Sequence, residues 1–234
     1  MIPPPLAPAD LEPLADELWH VEQRRHAYGL HLRNRMVVAR LETGGLWLHS
    51  PVSIEPNVAA QLAALGPVEH IVSPNNFHHM FAAAAAERYP EATLWATPAL
   101  QRKRADVPWG ASLLDDPPWR AELAPVLIAG APRFDEVAFL HRRSGSLLCC
   151  DLLFNVHSEP EWLTRLFFRS LGVWRRFGLS RVFRRSVKDR ALASAAAATI
   201  LEGPITRVVP AHGEVLEDDA AARVAEALAW LTRP

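Results

Sequence analysis

Three histidines and one carboxylate in this chain stand directly after short apolar runs, the places where α/β proteins deliver side chains for chemistry. His78 and His79 follow His70-Ile71-Val72 and its breaker Pro74; Asp151 follows Leu147–Cys150; His212 closes the run Val208-Val209-Pro210-Ala211-His212-Gly213. Neutral imidazoles with a carboxylate are the donor types that zinc and ferrous iron accept. A metal held with one position open activates water. Singly, each residue has a bland reading: His78-His79 as polar groups opening a helix, Asp151 as a turn residue, His212 as a donor to a buried carbonyl. Jointly, in this order at run ends, they point to a metal site.

The elements that must position these residues are legible from periodicity. Glu17 to Val21 and Ala27 to Leu32 read as short strands. Met36 to Leu41 and Leu46 to His49 read as a hairpin about Thr43-Gly44-Gly45, because paired glycines suit a tight turn. Val58, Leu62 and Leu65 share a helical face that stops at Gly66, and His70 to Val72 is a strand. His79 to Tyr89 reads as an alanine-rich helix, followed by the strand Thr93–Ala96 and a basic turn from Gln101 to Arg104. Val126–Ile128, Glu136–Leu140 and Leu147–Cys150 read as three sequential strands, and Thr206–Val209 as a last one. A final amphipathic helix carries Ala221, Val224, Leu228 and Leu231 on one face. Two successive sets of strands followed by helices imply a four-layer αββα sandwich of the α/β (α+β) class, formed as one domain over residues 1–234.

Composition narrows the function classes. Half of the 234 residues are hydrophobic, ample for a sizeable core. The formal charge of -1 carries no global signature of a nucleic-acid binder, so no nucleic-acid partner is expected. The opening residues Met1–Pro8 have neither a basic n-region nor an apolar h-region, so no secretory signal is expected. Cys149 and Cys150 are adjacent in a buried strand, which excludes a disulfide framework and points to a reduced, cytoplasmic protein. No Gly-x-Ser-x-Gly elbow and no phosphate-binding glycine loop supports a rival enzyme class.

The order of elements and the positions of the candidate residues resemble the metallo-β-lactamase fold, over roughly residues 17–232, and more narrowly a branch of it with degenerate metal motifs. That family's Thr-His-x-His-x-Asp-His motif falls on Ser73-Pro74-Asn75-Asn76-Phe77-His78-His79. Its Gly-His-Thr-Pro-Gly turn falls on Gly130-Ala131-Pro132-Arg133, its bridging aspartate on Asp151, and its last histidine on His212. The resemblance implies that Pro74, Asn76 and Ala131 have lost the first metal's ligands, while His78, His79, Asp151 and His212 keep donors at the second. The expectation is one divalent metal per chain, zinc first and iron as the alternative. Asp151 and His212 then also serve the catalytic centre. His49 stands where the family often keeps an aspartate, and His49, Asn75 and Asn76 are candidates for supporting the ligands or meeting substrate.

The segment 159–190 departs from a compact version of that fold and follows the third motif as a helical insertion. Trp162, Leu166, Leu171 and Trp174 recur at helical spacing, and arginines crowd the rest. A basic helix with an aromatic face can cap a site, pair subunits as a homodimer, lie on an anionic membrane, or simply pack with its arginines in water. The expectation is a helix from Trp162 to Trp174 whose apolar face is covered. Three functions follow: a mononuclear metal-dependent hydrolase of an unidentified small-molecule ester, amide or phosphoester; a non-catalytic binding or interaction module; or a peripheral membrane protein. β-Lactam turnover is not expected, because fold does not fix substrate.

Overall fold

The computed structural model describes residues 10–27 and 29–232, so the opening Met1–Pro8 segment lies outside the described residues. The described chain falls into two compact units, residues 10–27 with 32–117, and residues 29–31 with 118–232.

The first unit holds a seven-stranded sheet whose spatial order follows the chain: β1 (Glu12–Ala15), β2 (Leu18–Ala27), β3 (Leu30–Arg40), β4 (Leu46–His49), β5 (Val68–Ser73), β6 (Thr93–Ala96) and β7 (Ala111–Ser112). The Thr43-Gly44-Gly45 hairpin forms as expected and pairs β3 antiparallel to β4. From β4 onward the pairing is parallel, which requires crossovers. The first two carry α1 (Pro56–Leu65), ending at Gly66, and α2 (Ala82–Arg88), and the third carries a shorter helix after β6. Val38, Leu48, Ile71 and Leu94 of the sheet pack with Val58 and Leu62 of α1 in one buried cluster.

Local expectations shift in three places here. Ala27 ends β2 and Leu30 begins β3, so the expected strand Ala27–Leu32 is divided between two strands, with Leu30–Leu32 in β3. The alanine helix starts at Ala82, because His78 to Met80 form a turn. Gln101 to Arg104 is no loop: α3 (Pro98–Lys103) covers most of it, started by Pro98 and by Thr97, whose hydroxyl accepts from the Leu100 N–H.

The second unit holds a four-stranded sheet, ordered β11-β10-β9-β8, from β8 (Leu123–Leu127), β9 (Val137–His141), β10 (Ser146–Cys149) and β11 (Arg207–Pro210). The three sequential strands pair antiparallel and β11 adds parallel to β10. Leu147, Cys149 and Val208 pack against Ile200 of α6 (Arg190–Leu201) and against Val224 and Leu228 of α7 (Ala220–Thr232). Both cysteines are buried and reduced.

The insertion is helical but broken. α4 spans Trp162–Leu171 and ends at Gly172, whose φ of 75° lets it accept the left-handed cap, with Val173 N–H returning to the Phe168 carbonyl. A second helix, α5 (Arg181–Ser186), follows a Ser180 cap. The expected stripe is also rotated: Thr164, Phe168 and Leu171 turn inward, whereas Trp162 and Leu166 are exposed.

One buried charge organises the turn after β10. Glu136, just before β9, is fully buried and accepts N–H groups from Cys150 (2.7 Å), Asp151 (2.8 Å) and Leu152 (3.2 Å). Two of these donors share Oε1 and the third uses Oε2, so an amide in place of the carboxylate sets an NH2 against at least one N–H. Glu136→Gln is therefore expected to cost about 1.5–3 kcal/mol and to lower the melting temperature by roughly 5 °C. An unchanged melting temperature would show that the turn holds without it.

Burial also keeps His20 in the first unit and His141 in the second neutral, lowering each from the ordinary 6.5 to about 4, with Arg35 and Arg143 respectively adding to the effect. The unfolded chain binds these protons first. Their contribution to stability is complete above pH 6.5 and is lost as pH falls toward 4. Urea midpoints are expected to drop between pH 7 and pH 5, less so in the His20→Gln/His141→Gln double variant; identical midpoints at both pH values in the parent would contradict this.

Candidate functional site

In the first unit, the turn after β5 presents His78 and His79 in different ways. Asn75 is completely buried, and its Oδ1 accepts the N–H groups of Phe77 (2.9 Å) and His78 (2.8 Å). Asn75 therefore shapes the turn from which His78 projects. Asn76 offers its carbonyl to the Lys103 ammonium. Ser50, directly after β4, lies 2.8 Å from Nδ1 of His78 through its hydroxyl. Its backbone sits at φ 56°, a conformation uncommon for serine, held in part by its N–H donating to the Val72 carbonyl. Ser50 takes Nδ1, so a metal bond from His78 falls to Nε2.

His79 is committed elsewhere. The Arg104 guanidinium lies 2.9 Å from its Nδ1, and arginine can only donate, so Nδ1 accepts. A neutral imidazole has one lone pair, and here it faces Arg104; the proton then sits on Nε2, which is unsuited to a metal. Burial, with help from Lys103 and Arg104, lowers the pKa of His79 and keeps it in this neutral form. Arg104 is itself paired with Asp106 at 2.6 Å, which holds the Asp106 carboxyl at about 2. His49 is buried and stacks on Trp47 at 5.5 Å; burial, with His78 adding, pushes its pKa down to about 3.

In the second unit, Asp151 and His212 come together. β10 and β11 are in parallel register with Cys149 opposite Pro210, and each candidate follows two residues later. The Ala211 N–H continues the ladder to the Cys149 carbonyl. His212 Nε2 then lies 3.8 Å from Asp151 Oδ1, and both side chains are largely buried. Phe154 stacks on the His212 ring at 5.5 Å and 11°. Gly213, at φ 99°, passes so close to Asn155 that an added Cβ would sit 2.1 Å from its carbonyl oxygen. Only glycine fits there, which explains the His-Gly pair.

The segment aligned with the lost ligand turn serves packing. Ala131 is buried in the core of the second unit, and the Gly130 carbonyl accepts the N–H groups of Lys188 and Asp189. Four contributors were missed from sequence: Glu136, Ser50, Arg104 and Phe154. Glu136 alone left a trace, as an acid abutting the apolar run Val137–Leu140. Ser50 and Arg104 look like ordinary polar residues until the fold brings them to the histidines.

The two sheets with their helices match solved metallo-β-lactamases across nearly the whole chain. DIM-1 metallo-β-lactamase, in a crystal exposed to ceftazidime, aligns over 98% of this chain and 99% of its own at a TM-score of 0.66 and 12% identity. FIM-1 from Pseudomonas aeruginosa, in its mono-zinc form, aligns over 97% of this chain and 98% of its own at 0.59 and 14%. The metal-soaked flavodiiron core Flv1 from Synechocystis sp. PCC6803 aligns over 96% of this chain and 61% of its own at 0.61 and 15%. At these identities the likeness establishes the fold. No curated protein matches the sequence. A family model described as a domain of unknown function (DUF4336) matches residues 15–176. A divergent metallo-β-lactamase fold carrying that domain over more than half of its length makes this chain a member of the DUF4336 family.

Proposed function

We propose that this chain is a mononuclear metal-dependent hydrolase in which Asp151 and His212 hold one divalent ion, zinc before iron, with His78 taken as the third donor from its place in the motif. The carrying observation is the Asp151–His212 pair. A separation of 3.8 Å is too long for a hydrogen bond. It is close to the about 3.4 Å that separates two ligands of one tetrahedral ion with bonds of about 2.1 Å. The donor chemistry fits as well, since two imidazoles and a carboxylate suit zinc or iron. With Pro74, Asn76 and Ala131 in the positions of a first metal's ligands, one ion is expected; FIM-1 has been captured in a mono-zinc form.

Such an ion, when bound by three protein ligands, supplies Lewis acidity and activation of water at neutral pH. The chain's own groups do the positioning. Ser50 orients the His78 ring through Nδ1, Phe154 fixes the plane of His212, and Glu136 holds the backbone that carries Asp151. Arg104 keeps His79 in the tautomer that leaves it outside the donor set. The bond attacked is an ester, amide or phosphoester.

Elemental analysis after dialysis is expected to find one equivalent of metal. His212→Ala and Asp151→Ala should each abolish it, because two donors do not complete a tight site. His79→Gln should retain it. Ser50→Ala should weaken affinity by about tenfold, the usual effect of losing an orienting partner. Chelated protein should hydrolyse p-nitrophenyl esters or bis(p-nitrophenyl) phosphate only after zinc is restored. Two equivalents, or full occupancy in His212→Ala, would overturn the assignment.

A further inference from the structure

We infer that the outward face of α4 is a docking surface for an anionic lipid membrane, an inference independent of the metal reading. Trp162, Leu163 and Leu166 are 62%, 44% and 55% exposed, among the most exposed large apolar side chains in the described structure. Trp162 and Leu166 are four apart and Leu163 and Leu166 three apart, so they form one patch on one side of the helix. That side has no route inward. The opposite face is committed to the interior by Thr164, Phe168 and Leu171, with the Phe168 ring packed 6.4 Å from Phe154.

Charge decides what covers the patch. Residues 159–190 carry nine arginines and lysines against three acids, although the chain as a whole is -1. Several of these cations border α4. Arg169 is exposed one turn beyond Leu166; Arg181 donates to the Ser170 carbonyl at the end of the helix; Arg175 and Arg176 are exposed just after it. An apolar patch containing tryptophan, rimmed by arginines, matches the acyl–headgroup boundary of a membrane with anionic lipids. A second copy of this chain fits poorly. A twofold contact would set the same basic segments against each other, and three side chains fall well short of the roughly 800 Å² per partner of a stable interface. No helix among the described residues is long and apolar enough to cross a membrane. The contact is therefore peripheral.

The test is cosedimentation of the full chain with vesicles of phosphatidylcholine alone and of phosphatidylcholine mixed with phosphatidylserine. Binding is expected to the mixed vesicles, with release as salt is raised from about 0.1 to about 1 M, where screening is nearly complete. The triple variant W162S/L163S/L166S should bind about tenfold more weakly or worse, with an unchanged melting temperature because the replaced side chains are exposed. R169Q/R175Q/R176Q should bind more weakly and with less salt dependence. Chelated and zinc-loaded protein should behave alike, which separates this inference from the metal assignment. Absence of binding to the mixed vesicles, binding that either variant leaves unchanged, or a dimer in analytical ultracentrifugation that W162S/L163S/L166S disperses would overturn it.

Discussion

The Glu136 carboxylate sits wholly inside the second unit and accepts three successive backbone N–H groups from the turn after β10. Successive amides pointing the same way make a small concavity suited to an anion. Here the chain supplies its own. A buried charge is costly unless hydrogen-bonded, and three charge-assisted bonds offset that cost. The consequence is a turn of fixed shape carrying Asp151. Parallel register between β10 and β11 then does the rest: Cys149 faces Pro210, and the residue two positions beyond each strand end becomes a neighbour of the other. The Asp151–His212 spacing is thus set by backbone pairing and the three hydrogen bonds to the Glu136 carboxylate rather than by mutual attraction.

Having a histidine in a motif position does not make it a ligand; its other ring nitrogen decides. His78 and His79 are adjacent, yet their partners differ in kind. A serine hydroxyl can accept as well as donate, so Ser50 can hold Nδ1–H of His78 and leave the metal-binding role to Nε2. A guanidinium can only donate, so Arg104 draws the lone pair of His79 to itself. In the first unit this contact makes His79 part of a network with Arg104 and Asp106.

Much of the fold was legible in the sequence because most strands from β4 onward are short apolar runs, several ended by strong breakers, whereas the long, charged β2 and β3 were read as shorter pieces. Gly44-Gly45, Gly66 and Pro74 bounded elements that the structure reproduces closely, and the metallo-β-lactamase resemblance spanned both sheets. Errors fell where tertiary context outweighs periodicity. Of the stripe Trp162–Leu166–Leu171–Trp174, Leu171 is buried as expected, but Thr164 and Phe168 turn inward beside it in place of Trp162 and Leu166, and Gly172 ended the helix before Trp174. At the candidate site, the histidines and Asp151 announced themselves by type and place. Glu136, Ser50 and Arg104 did not, because a supporting role is defined by contacts across 14 to 28 residues of chain, not by local pattern.

The central claim is a donor set of two imidazoles and one carboxylate. X-ray absorption spectroscopy at the zinc edge of the loaded protein counts those ligands directly. The account predicts two histidine nitrogens and carboxylate oxygen in a four-coordinate shell, and the same imidazole count in His79→Gln. Three imidazoles in the parent falling to two in His79→Gln would contradict it, because His79 would then have left Arg104 to bind the metal.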